Sequence, residues 1–431
     1  MLKRIYKAEL ENKIKILYVK NKELPIISFA IGFDTGSYLD PKGKEGLFYL
    51  TSNLIDKGNS LHSSYKIRDF FDGIGAKFNI VTSKNLLIVK LLCRVEYFSK
   101  IADFLEHILY YPSFDEREIE KEKRTVISEI LQEEEEPDYL VSKKFYEVLY
   151  KDTPLSHPID GYIHTIKEIE KKDIENFYKE KILGRKIFIA GSGYLDFDEF
   201  LNKFEKLFRN YKILSNFYPE FRKERTDRRI LVIKKKVNQV FVRVGHFSLK
   251  RKDKNFHYLI LSNYILGGGA FASRLFKKIR NELGFVYSIY SKFNTIEPFV
   301  GSYSYLFQTS EENFEKAFKK IIHEIKKFKV KGATMKELKD AKGFYKGSIL
   351  REFETYSQIT NLLISSLQYG LRYSYVFETL KKILSTKIED LNTFIKNFYD
   401  YENLSGVILV PDRYDFSFLK EILPQHSFEV L

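Results

Sequence analysis

The chain of 431 residues contains no Trp, two Met and a single Cys. One thiol cannot close an intrachain disulfide, so packing and hydrogen bonding must hold the fold. Cys93 ends the apolar run LLIVKLLC (86–93) and reads as a core residue. No run of about 20 apolar residues occurs, which leaves no candidate membrane-spanning helix. The opening residues, MLKRIYKAELENKIKILYV, hold neither the apolar stretch nor the small-residue cleavage site of a secretory signal, and a cytoplasmic location is expected. Basic residues outnumber acidic ones, for a net charge of +14. They are scattered along the chain, with no arginine or lysine block and no RNP pattern, so nucleic acid is not expected as a partner. An apolar content of 44% and a charged content of 30% describe a globular chain long enough for two domains.

Hydrophobic periodicity gives the organisation. The first half opens with strand-like runs at Ile14–Val19 and Ile26–Asp34, then helices at Leu47–Ile55 and Ser64–Ile74. Two further strands follow at Lys77–Thr82 and Leu86–Cys93, and helical segments from Val95 to Leu149. The second half repeats this order. Strands at Arg229–Lys234 and Gln239–Phe247 precede helices near Phe256–Leu266 and Ser273–Asn281, then strands at Val286–Asn294 and Phe299–Gln308. The helix at Ser310–Val330 is the plainest, with Phe314, Ala317, Phe318, Ile321, Ile322, Ile325 and Phe328 at steps of three and four. The polar stretch SNFYPEFRKERTDR divides the halves. The expected architecture is α+β: two homologous domains, 1–214 and 229–431, joined by a linker at 215–228. Each is expected to be a mainly antiparallel sheet covered by helices on one face.

Two segments carry the chemistry. The first is GLFYLTSNLIDKGNS (46–60). The second is SRLFKKIRNELGFVYS (273–288). The first resembles the zinc helix of the insulinase-like M16 metallopeptidases (pitrilysin superfamily), roughly G-x-A-H-F-L-E-H-M-x-F-K-G-T. Gly46 and Lys57-Gly58 fit the two ends of that pattern. The H-x-x-E-H core then falls on Tyr49, Ser52 and Asn53, so the resemblance implies a degenerate zinc site. The family's third ligand, a Glu about 76 residues beyond the second His, falls on Glu129. Zinc wants imidazole, thiolate or carboxylate donors at about 2 Å. A phenol, a hydroxyl and an amide do not supply them, and Ser52 is too weak a base to activate water. No metal is expected in this chain, with Glu129 as the residual ligand position.

The second segment is similar to the family's S-R-L-F-x-x-x-R-E-x-x-G-L-x-Y-x-V, in which an Arg and a Tyr seven residues later form a substrate-binding pair. Here these are Arg280 and Tyr287. Asn281 and Phe285 depart from the pattern without touching the pair. An Arg fork can grip a carbonyl or a carboxylate, and a Tyr hydroxyl can donate to an oxyanion. The resemblance spans essentially the whole chain and implies the M16/LuxS-like fold. It also implies a non-catalytic subunit of the M16B type. Such a chain forms a heterodimer with an H-x-x-E-H subunit that carries the zinc, and unfolded peptides are the substrate. A stand-alone peptide-binding, chaperone-like or scaffold protein, possibly a homodimer, is the other expectation.

Other features weigh less. Glu122, Glu129, Glu133 and Glu136 are spaced to share one helix face, either solvated or attracting basic peptides. His157, Asp160 and His164 lie in HPIDGYIH, where Pro and Gly break any helix that would align them on a metal. Gly267-Gly268-Gly269 lacks the Gly-Lys-Ser/Thr of a phosphate loop and reads as a turn.

Overall fold

The computed structural model describes residues 5–214, 218–219 and 225–431. Most of the segment expected as a linker, 215–217 and 220–224, lies outside the described residues. The chain divides into two compact units. One comprises Met1–Leu131, His157–Pro219 and Leu350–Tyr375; the other comprises Gln132–Ser156, Glu220–Ile349 and Val376–Leu431.

The first unit is built on β1 (Ile5–Glu9), β2 (Lys15–Lys20), β3 (Ile26–Phe33), β4 (Lys77–Thr82), β5 (Leu87–Arg94) and β6 (Ile187–Gly193). They form one six-stranded sheet in the order β1-β2-β6-β3-β5-β4, with β2 and β6 parallel and the other neighbours antiparallel. Alternate residues Ile16, Tyr18, Phe29, Ile31 and Phe33 point to one face. There they pack against the helices Phe98–Tyr110 and Phe197–Phe208 through Phe98, Ile101, Leu105, Phe200 and Phe204.

The second unit repeats the plan with β7 (Arg229–Lys235), β8 (Val240–Ser248), β9 (Ser288–Asn294), β10 (Gly301–Thr309), β11 (Ser405–Pro411) and β12 (Ser427–Val430). Its order is β12-β7-β11-β8-β10-β9. Five successive strands correspond between the sheets. Only the edge partner of β2 and β7 differs, being a hairpin strand in one sheet and the chain's last strand in the other. The helix Phe314–Lys331 buries Phe314, Ala317, Phe318, Ile321, Ile325 and Phe328, as its periodicity required.

Helices cover both faces of each sheet, not one. Leu17, Val19, Ala30, Ile88, Phe188 and Ala190 face away from the first helical layer. They are buried under Ile359, Leu363 and Ile364 of the helix Tyr356–Gln368. In the second unit the helix Pro137–Leu149 lies against β8 and β11. Each sheet is therefore closed by a helix that lies, in sequence, within the other half of the chain. Runs such as IFIAGSG in β6, buried at every residue, are the sign of a strand with both faces covered.

Candidate functional site

The helix Leu47–Leu54 begins on a built support. Asp40 is buried, and its two carboxylate oxygens accept from the N–H groups of Gly46 (2.9 Å) and Phe48 (2.7 Å). Burial raises its pKa well above the ordinary aspartate value, against the pull of these bonds. His157 lies beside it, with Nδ1 4.0 Å from Asp40 Oδ2 and 2.8 Å from the Pro158 carbonyl it donates to. Burial, aided by the Lys84 charge, pushes its pKa down to about 4, so the ring is neutral at pH 7. Gly46 sits at φ 94°, and a Cβ there would meet the Asp160 carbonyl at 2.6 Å, so only glycine starts this helix without strain. His157 is thus buried beside the start of the helix, while His164 is exposed and stacks on Tyr162 at 5.6 Å. Among the described residues, no three His, Cys, Asp or Glu side chains come together as a metal set.

Tyr49 and Asn53, four residues apart, share the face of this helix turned to the helix Glu116–Glu135. Tyr49 donates its hydroxyl hydrogen to Glu129 Oε2 at 3.3 Å, and Asn53 donates an amide hydrogen to Glu122 Oε1 at 3.1 Å. Ser52 is fully buried and donates to the Phe48 carbonyl at 2.7 Å, back into its own helix. Partial burial raises the pKa of Tyr49 and of Glu122; Lys57 and Asn53 pull Glu122 the other way. These residues do not fit a zinc ion. Two neutral donors aim hydrogens at two carboxylates, where a metal would need lone pairs aimed at itself. Past the end of the helix a cavity of about 420 Å³ opens, with Asp56, Lys57, Arg68 and Asp72 among its lining.

The expected four-glutamate face is shorter in the structure. The helix ends at Glu135, and Glu136 has extended backbone (φ −85°, ψ 110°) capping the next helix, whose first residue is Pro137. A proline disfavours helical backbone in the residue before it, which separates Glu136 from the others.

The second segment is anchored from behind. Arg274 holds Glu337 with both arms of its guanidinium, Nη2 lying 2.6 Å from Oε2, and also donates to the Gly332 carbonyl at 2.9 Å. Leu275 and Ile279 are fully buried. Arg280 and Tyr287 face solvent, Tyr287 at 54% exposure. Between them Gly284 (φ 66°) donates to the Arg280 carbonyl and turns the chain, and the Tyr287 N–H joins the Gln308 carbonyl at 2.8 Å. The Arg280 guanidinium lies over the Phe276 ring, 4.7 Å from its centroid. The helix expected at Ser273–Asn281 is instead a π-helical segment, Phe276–Glu282, a form that shares the apolar spacing of an α-helix over so short a stretch. Gly267 lies in a second one, Tyr264–Gly268, where a Cβ would meet Ser291 Oγ at 2.5 Å. The triple glycine thus serves close packing. Sequence reasoning missed Asp40; an Asp six residues before Gly46 was the available signal.

The two units repeat one α+β plan, so the chain is a duplicated α+β protein. The comparisons give the family. The profile "Insulinase (Peptidase family M16)" matches residues 15–161, and "Peptidase M16 inactive domain" matches residues 168–344, together most of the chain. The chain belongs to peptidase family M16. Among its relatives, the "Non-peptidase homolog YmxG" of Helicobacter pylori is 27% identical over 407 residues, 94% of this chain and 93% of that protein. The "Uncharacterized zinc protease YmxG" of Bacillus subtilis is 25% identical, over 90% and 94% of the two chains. A Pseudomonas fluorescens structure described as a peptidase M16 inactive domain superposes with TM-score 0.88 at 22% identity, covering 95% of this chain and 98% of that one. A structure described as a protease from Helicobacter pylori gives 0.85 at 17% identity, covering 95% and 100%. The fold is the one these solved chains share.

Proposed function

We propose that this chain is a non-catalytic M16 subunit that pairs with a zinc-bearing H-x-x-E-H chain and contributes Arg280 and Tyr287 to the binding of unfolded peptides. One observation carries the reading. At the positions that would hold zinc, Tyr49 and Asn53 spend their hydrogens on Glu129 and Glu122, whereas Arg280 and Tyr287 are exposed on an anchored segment. A guanidinium and a phenol placed this way can hold a peptide carbonyl or carboxylate without doing hydrolysis. Zinc, the water it activates and the general base would all come from the partner. The name of the Helicobacter pylori relative, a non-peptidase homologue, agrees with the inactive half of this reading. The test is the double substitution Arg280→Ala with Tyr287→Phe in the reconstituted pair. Loss of one charge-assisted contact and one hydroxyl should lower kcat/KM by about 100-fold. Unchanged hydrolysis would remove the assigned role.

A further inference from the structure

We infer that the first unit carries an oxyanion site: a pocket between β4, β5 and the helix Tyr356–Gln368 takes a phosphoryl group, held by Lys77 and Lys90. The inference stands apart from the proposed function and does not rest on it.

The helix Tyr356–Gln368 packs chiefly on β2, β6 and β3. Thr360 pins it there by donating its hydroxyl hydrogen to the Ser28 carbonyl at 3.1 Å. β5 and β4 follow in the sheet order, and the register fixes what stands on them. Lys90 of β5 lies opposite Ala30 of β3 on one side and opposite Asn79 of β4 on the other. Lys77 precedes Asn79 by two residues on the same strand. Ala30 is buried under the helix, so these side chains share the face that the helix covers. Directly opposite residues have Cβ atoms about 5 Å apart and diagonal ones about 7–8 Å, which sets the spacing of Lys90 and Lys77. Two flexible ammonium groups that far apart at their bases can close on one small anion from both sides.

A lysine on an edge strand is ordinary, so Lys77 alone decides nothing. Lys90 is not ordinary. It sits on an interior strand and is only partly exposed. Burial lowers its pKa, and no carboxylate acts against that. Beside it lies a cavity of about 180 Å³, lined by Lys77, Asn79, Lys90, Ser357 and Asn361 among others, and by no Asp or Glu. Ser357 belongs to the first turn of the helix, which holds no acidic residue and whose free N–H groups favour an anion. Two cations, two amides and a hydroxyl make a set rich in hydrogen-bond donors. A carboxylate offers two oxygens and one charge. A phosphoryl group offers three oxygens and about −1.5 to −2 charges at pH 7, which matches two lysines. Drug-sized pockets begin at about 300 Å³, so this one has room for the phosphoryl group and little beyond it.

Phosphorus NMR titration of the full chain tests this, with inorganic phosphate and with glycerol 3-phosphate, at constant ionic strength in chloride. The wild-type chain should bind one phosphoryl group with a Kd on the order of 1 mM. Lys90→Gln should weaken binding about tenfold and Lys77→Gln about threefold, while Lys90→Arg should stay near the wild-type value. Lys329→Gln removes the same charge from the second unit and should change nothing. Tighter binding of phosphate supports the site as one for the free ion; tighter binding of glycerol 3-phosphate supports it as one for a phosphate monoester. Lys77 is exposed on an edge strand, so its variant keeps the test decisive even if Lys90→Gln fails to fold. No binding by the wild-type chain overturns the inference. So does equal weakening by Lys329→Gln and Lys90→Gln, which would mean diffuse attraction to a basic chain. Acetate displacing phosphate at equal concentration would overturn the phosphoryl assignment.

Discussion

Asn53 donates a hydrogen to Glu122, where the proposed alignment with a metallopeptidase helix puts an imidazole lone pair. That reversal of polarity leaves a half-buried carboxylate facing an amide, and burial raises its pKa above the usual 4.5. A carboxyl whose folded-state pKa is raised binds its proton more tightly when folded. Its contribution to stability is complete below the unfolded pKa and is lost as pH rises through the folded one. Glu122→Gln keeps an acceptor for Asn53 and removes the titration. It should therefore leave the thermal midpoint at pH 4 nearly unchanged and raise it at pH 8. The size should stay within about 1 kcal/mol, because the side chain is still partly solvated. Melting curves at the two pH values read this directly; a midpoint that falls at pH 8 would mean the ionised carboxylate is needed. The proposal that Tyr49, Ser52 and Asn53 stand at the zinc positions was legible in the sequence once Gly46 and Lys57-Gly58 set the frame. Their hydrogen bonds to glutamates were not, since these depend on partners 69 and 80 residues away. Nor could spacing show that His157 is buried beside Asp40.

At the scale of elements, alternation revealed the strands with one apolar side, and β4 was read to the residue. The strands β6 and β11 escaped notice because IFIAGSG and SGVILVP do not alternate. They are short apolar runs buried on both faces, which periodicity cannot tell from pieces of buried helix. The helix that covers the far side of the first sheet was equally hidden, because nothing in residues 356–368 marks which sheet it serves. Leu363 is its fully buried centre, against Leu17, Ile88 and Phe188. Leu363→Ala should cost about 2–5 kcal/mol in chemical denaturation, as a large-to-small change in a closed core does. A cost below 1 kcal/mol would show that this helix is only loosely attached. The π-helical segments belong to the same lesson. Their sequences read as helix, and only the backbone shows their wider π-helical winding.

The whole molecule is a duplicated fold whose two halves have parted in their chemistry. One half joins Tyr49 and Asn53 of the helix Leu47–Leu54 to Glu129 and Glu122 by hydrogen bonds, at the positions proposed for a lost zinc site. The other keeps an anchored Arg and Tyr in solvent. Such a chain is expected to work only beside a partner that holds the metal, and the fold by itself does not decide this. The direct measurement is hydrolysis of unfolded peptides with added Zn²⁺, for this chain alone, for an H-x-x-E-H partner alone, and for the two mixed. The account predicts no turnover by this chain and a rate for the mixture well above that of the partner. Turnover by this chain alone, or a mixture no faster than the partner, would contradict it.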